Sequence, residues 1–295
     1  MGAHPSQMTI GRPCSVSGRG YWTGQSNTLT FLPAPAGSGV NFIRSDLIDA
    51  PRISAIVDNA SGLSLRTRLG QPPFHFDMVE HVMAAIRGLS IDNIDVVCTS
   101  AEMPAMDGSS FPFALSLQSA GIVECGGSPP TFTINSLLRV GDQDRWIEAR
   151  PTESSWLNIE YRLDYGNNST IPSATYSTVV SELEFCEQLA AARTFITAAE
   201  AEQLQQKGLA AHVTHRDLLV FDKLGPIENE LRFPDECARH KALDLIGDLA
   251  LTGVNLVGEI IACKSGHQLN VQMARMLRQA YLTSTADADL RQSAA

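Results

Sequence analysis

Residues 239–249 read RHKALDLIGDL, and residues 252–263 just after them read TGVNLVGEIIAC. The first run carries apolar residues at helical spacing, and the second follows a short turn as an apolar strand. Upstream, HVMAAIRGL (81–89) leads in the same way into IDNIDVVC (91–98). Both helices start at a histidine, His81 and His240. Two helix–turn–strand units of this kind read as a duplicated α+β unit. The expected fold is α+β, with two similar two-layer domains, each a sheet layered with helices. The active site is expected at their interface, with one helix-borne histidine from each half. The match is short, and chance similarity stays open at this point.

Gly126-Gly127-Ser128-Pro129-Pro130 is the best linker and divides the chain into 1–127 and 128–295. Before it, Met8 to Leu47 reads as short strands and turns. A helix begins near Val79 and carries Val82, Met83, Ile86 and Leu89, a strand covers 91–99, and a second helix covers 112–120. After it, strands are expected at 131–140, 145–151 and 155–164, followed by the polar loop GNNST (166–170). Helices at 181–190 and 198–207, a strand at 217–222, a helix at 235–252, a strand at 254–263 and a last helix at 268–281 complete the pattern. The small polar tail from Thr283 is expected to fray.

A chain of 295 residues with 44% hydrophobic and 18% charged residues is globular and long enough for two cores. Its net charge of -10 argues against a nucleic-acid surface. Six scattered cysteines without a CxxC pair suit reduced thiols in a cytoplasmic setting. No signal peptide is read at the N-terminus. The apolar run Leu249 to Cys263 is interrupted by Asn255, Gly258 and Glu259 and is shorter than the ~20 residues that cross a bilayer, so no membrane insertion is expected.

The chemistry-bearing residues come in fragments. His240 and Asp244 are four residues apart on a helix and share a face, a two-pronged grip on a divalent metal such as zinc. Two ligands are too few, and Glu80-His81 is the best source of a third, with a carboxylate alongside as a general base. Lys264-Ser265-Gly266-His267 sets a further histidine in a small-residue turn. Each fragment also has an ordinary structural explanation, and periodicity does not assemble them.

Five stretches do. VEHVMAAIRGLSIDN (79–93), EMPAMDGSSFPF (102–113), ARTF (192–195), LRFPDECARHKALDLIGDL (231–249) and KSGHQLN (264–270) occur in family order and spacing. In these the chain resembles the zinc-dependent UDP-3-O-acyl-N-acetylglucosamine deacetylases of lipid A biosynthesis. The resemblance implies that His81, His240 and Asp244 bind Zn2+ and leave a position for water. It makes Glu80 the general base and His267 the general acid or electrostatic partner, oriented by Asp248. Thr194 would hydrogen-bond the oxyanion and Phe195 lie beside the sugar, while Lys241 and Lys264 serve a diphosphate-bearing substrate. Asp107 is expected to support a turn. The implied partner is a nucleotide sugar with an acyl chain, and the implied enzyme is a cytoplasmic monomer from a Gram-negative-type bacterium or an organelle derived from one. The family's small inserts are expected at 51–76 and 155–195.

The chain also departs from the pattern. Trp22 stands where the family usually carries histidine, and Asp77-Met78-Val79 where Ser-Thr-Val is usual. LAAHVTH (209–215) replaces a Gly-Gly-Ser-like stretch, so His212 and Val213 are expected to narrow or reroute the acyl passage. Two alternatives follow: a relative acting on a different N-acetylated sugar or amide, and a non-catalytic regulatory homologue.

Overall fold

The computed structural model describes residues 6–48, 52–166 and 169–293; Asn167 and Asn168 of the expected polar loop lie outside them. The first half contains β1 (Gln7–Ile10), β2 (Cys14–Arg19), β3 (Ser26–Pro33), β4 (Val40–Arg44) and β5 (Ile53–Ser54). They are followed by β6 (Ala60–Gly62), β7 (Thr67–Gln71), β8 (Phe74–Asp77), α1 (Glu80–Gly88), β9 (Ile94–Cys98), α2 (Phe111–Ser119) and β10 (Ile122–Gly126). Five of these strands form a sheet in the order β2-β3-β9-β4-β5, in which only β4 and β9 run parallel. In β3 and β9 alternate residues are buried, among them Leu29, Phe31, Ile94 and Val96, so one face of the sheet meets the core.

The second half repeats this plan. It contains β11 (Thr131–Thr133), β12 (Leu138–Gly141), β13 (Trp146–Arg150), β14 (Leu157–Leu163) and β15 (Ala174–Val179). Next come α3 (Glu182–Glu184), a π-helical turn at Phe185–Leu189, β16 (Phe195–Thr197), α4 (Ala198–Gln206), β17 (Leu219–Asp222) and β18 (Gly225–Pro226). α5 (Glu236–Ala250), β19 (Asn255–Cys263) and α6 (His267–Ser293) close the chain. The sheet order is β12-β13-β19-β14-β15, again with one parallel neighbour pair along that path, β14 with β19. Strand for strand this is the first sheet. In each half the central strand enters last, straight after the histidine-bearing helix, and the helix that follows it packs on the sheet's first strand. The α+β duplication read from two short segments therefore extends through both sheets.

Several boundaries differ from expectation. The strand expected at 131–140 is two strands, because β19 takes β11 along Asn255–Val257 and β13 along Glu259–Cys263. β15 was not expected: among its residues only Tyr176 is buried, so its alternation is weak. The expected insert at 155–195 is corrected. β14 buries Leu157, Ile159, Tyr161 and Leu163 in the main sheet, and the small sheet β16-β17-β18 with α4 spans 195–226 instead. In the first half the small sheet β6-β7-β8 falls inside the expected 51–76 region, extended by one residue. The tail does not fray at Thr283; α6 continues to Ser293 through a stretch with no glycine or proline to stop it.

α1 and α5 pack directly on each other. A Cβ built on Gly247 of α5 would sit 2.1 Å from the carbonyl oxygen of Glu80 in α1. Only glycine lets the two backbones approach so closely. Gly88, at the far end of α1, similarly faces the buried ring of Phe185, 2.2 Å from such a Cβ. Gly247→Ala is expected to destabilise the fold by about 1–3 kcal/mol through overpacking, read as a lower denaturant midpoint at unchanged slope.

Candidate active site

The close helix packing sets side chains from both halves side by side. His81, in the first turn of α1, and His240, in α5, are edge-to-face with ring centroids 5.1 Å apart. Asp244 lies one turn beyond His240, and its Oδ1 is 3.4 Å from Nε2 of each histidine. All three residues are buried. Oδ1 of Asp244 has no hydrogen-bond partner, an unusual state for a buried carboxylate oxygen. Nδ1 of His240 lies 3.1 Å from the carbonyl oxygen of Ala192, which can only accept, so Nδ1 carries the proton. Burial, against the pull of Asp244, pushes His240 down to about 3, leaving a neutral ring whose Nε2 lone pair faces the centre. Two imidazole nitrogens and one carboxylate oxygen lie within 4.8 Å of one another, a set that could hold a metal ion. Among the described residues it is the one such group.

Glu80 and His267 flank this trio. Glu80 is 1% exposed, and burial raises its carboxyl above the usual range despite the nearby His267 and His81. Nε2 of His267 is 3.9 Å from Oε1 of Glu80 and 3.8 Å from Oδ2 of Asp244, while Nδ1 pairs with Oδ2 of Asp248 at 2.9 Å. Burial alone would discharge His267, but Asp248, Glu80 and Asp244 outweigh it and push it up to about 9. Asp248 is fully buried behind this ring and also accepts from Asn270 Nδ2 at 2.9 Å. Lys241 donates to Oδ2 of Asp244 at 2.7 Å, and Asp244 stays well below the usual carboxylate range because His240 and Lys241 outweigh its burial.

A cavity of about 580 Å³ opens onto His240 and Asp244 of the trio and onto His267. Thr194, Phe195, Lys241 and Lys264 line it. Phe195 stacks edge-on between the rings of Tyr165 and His240, at 5.9 and 6.1 Å. Lys264 sits at the rim, where Asp144 and Asp164 hold its ammonium at 2.8 and 3.2 Å. Thr194 is fixed through its backbone, which donates to Gly108 and accepts from Leu219. Beside it, Arg193 is buried and paired bidentately with Glu236 at the head of α5. One wall is apolar, with Ile196, Ala201, Leu204, Val213, Leu218 and Val220 from the small second sheet and its neighbours.

Other singled-out side chains sit away from the trio. Asp107 accepts from the backbone and hydroxyl of Ser109 and pairs with Arg232 at 2.8 Å, a turn-supporting role. His212 does not narrow the passage. Its Nε2 pairs with the carbonyl of Gly20 at 2.8 Å, docking the 209–215 segment on the loop that carries Trp22, while Val213 lines the cavity. His212 and His215 form no metal group among the described residues.

Against this geometry, the family model described as LpxC, UDP-3-O-acyl N-acetylglycosamine deacetylase, matches residues 7–279. The chain belongs to this family. It is 35% identical to the UDP-3-O-acyl-N-acetylglucosamine deacetylase of Myxococcus xanthus over 92% of this chain and 85% of that protein. It is 37% identical to that of Citrifermentans bemidjiense over 92% and 88%, and 37% identical to that of Saccharophagus degradans over 90% and 87%. Two residues that no sequence pattern marks also stand at the site. Tyr165 lines the cavity next to Phe195, in a loop with no periodicity to mark it. Thr67, fully buried, hydrogen-bonds Glu80 and Asp248, and no motif points to it.

Two expected outcomes follow for the trio. Added divalent metal should raise the thermal midpoint of the parent chain by mass action, and a chelator should reverse the rise. Asp244→Asn should weaken metal affinity beyond the ~10- to 100-fold typical of losing a group that only supports a ligand, measured by competition with a chromogenic chelator.

Proposed function

We propose that this protein is a zinc-dependent amidohydrolase that removes the N-acetyl group of UDP-3-O-acyl-N-acetylglucosamine, giving the free amine and acetate, a step of lipid A biosynthesis. The observation that carries the reading is the buried trio His81, His240 and Asp244 with Glu80 and His267 standing beside it, in a chain of this family. A neutral His240, an unpartnered Asp244 oxygen and two imidazole nitrogens suit zinc and leave room for a further ligand. Zinc, when bound, lowers the pKa of a water and polarises a carbonyl.

The chain's own residues account for the proton traffic. Glu80 takes a proton from the attacking water as its oxygen bonds to the acetamide carbon. Thr194 donates to the oxyanion, and cationic His267 opposes the same negative charge. As the C–N bond breaks, Nε2 of His267 gives its proton to the amine, and Asp248 keeps that ring oriented and charged. The apolar wall supports an acyl chain, Phe195 a position beside the sugar, and Lys241 and Lys264 attraction for the diphosphate.

Both halves of the site come from one chain, which supports a monomer as the working unit. The repeated strand order on either side of 126–130 supports units at 1–127 and 128–295. A nucleotide-sugar substrate and six unbridged cysteines support a cytoplasmic setting, in a bacterium of Gram-negative type or an organelle derived from one. Among the described residues no helix is long and apolar enough to cross a membrane.

A second reading, deacetylation of a different N-acetylated sugar, is favoured by Trp22, Met78 and Val213, which depart from the family pattern and line the same cavity. Turnover of acylated against unacylated UDP-N-acetylglucosamine separates the two. Acetate release from the acylated sugar is expected to dominate, and a preference for the unacylated one would sink the first reading. Glu80→Gln should lower kcat on the order of 10²- to 10⁴-fold with metal content unchanged. Parent activity no higher than that of Glu80→Gln on either sugar would instead mark a regulatory homologue.

A further inference from the structure

We infer that Thr67 is a positioning residue that locks the base Glu80 and the Asp248–His267 pair into one register, with the small sheet β6-β7-β8 as its frame. The inference rests on the proposed roles of Glu80 and His267. Thr67 is fully buried, and all three of its polar groups are spent on this centre. Its backbone N–H donates to Oε2 of Glu80 at 3.0 Å, and its hydroxyl donates to Oδ1 of Asp248 at 2.6 Å. Its carbonyl accepts from Met78 at 3.0 Å and Val79 at 3.4 Å, the two residues that lead into α1 and Glu80. Met78 holds a positive φ of 64° there, a strained conformation for a residue with a side chain.

The neighbouring strand reinforces the same alignment. Gly62 pairs with Thr67 across β6 and β7, and a Cβ at Gly62 would sit 2.2 Å from the carbonyl oxygen of His267. One hairpin therefore touches the backbone of His267 through Gly62 and reaches both carboxylates through Thr67. Nδ1 of His267 and the amide of Asn270 share Oδ2 of Asp248, so the Thr67 hydroxyl is the donor that fixes Oδ1. Without it, Asp248 can rotate about its side-chain bonds, and His267 turns with it.

Thr67→Val removes the hydroxyl while keeping shape and backbone N–H, and Thr67→Ser keeps the hydroxyl. On acylated UDP-N-acetylglucosamine, Thr67→Val should lower kcat by about 10- to 100-fold with KM and zinc content near parental values, and Thr67→Ser should stay within about threefold of the parent. Parental kcat in Thr67→Val, or an equal loss in Thr67→Ser, overturns the inference, the second because it would assign the effect to the methyl group. If Thr67→Val does not fold, Thr67→Ala against Thr67→Ser makes the same comparison. A double-mutant cycle of unfolding stability between Thr67→Val and Asp248→Ala needs no turnover. Coupling of at least about threefold in the folding equilibrium is expected, and strict additivity overturns the inference. Parental protein that leaves the acylated sugar intact would defeat the substrate reading alone, and the cycle would still decide the role of Thr67.

Discussion

The structure depends on one close approach, α1 against α5 at Gly247. The contact distance is set by a missing side chain: any Cβ there would meet the Glu80 carbonyl oxygen. This places the first turn of α1 beside the middle of α5, and so His81 beside His240 and Asp244. Two copies of one α+β plan thereby become two halves of one site, each supplying what the other lacks.

Around that contact, charged neighbours divide otherwise similar buried groups. His240 and His267 are both sealed from solvent, yet burial drives His240 neutral while three carboxylates hold His267 charged. Neighbours, not accessibility, leave the two imidazoles in opposite charge states. The same logic separates the carboxylates. Glu80 is raised by burial, whereas Asp244, with His240 and Lys241 against it, is lowered. Protonation states that differ within a few ångströms are what acid–base chemistry on an amide requires.

The apolar wall and the charged centre belong to different layers of the design. The wall comes largely from the small second sheet and α4, the centre from the two long-packed helices and the turn before α6. Departures from the family pattern, Trp22, Met78 and Val213, fall on the cavity lining, while the trio, Glu80 and His267 are retained. His212, which by size alone would crowd the passage, is drawn away by a backbone carbonyl. Volume in a sequence does not say which way a side chain turns.

The sequence by itself determined the duplicated helix–strand units, the residue types that could hold a metal and, through five ordered motifs, the family. These are local or linear properties: helical spacing puts His240 and Asp244 on one face whatever surrounds them. It did not give β15, an edge strand that buries only Tyr176, nor the full second small sheet, of which only the strand at 217–222 was expected. Tertiary structure alone decided that Thr67 would serve Glu80 and Asp248 together. Its two partners are 13 and 181 residues away in the chain, and no pattern along a sequence records a hydrogen bond made across a packed interface.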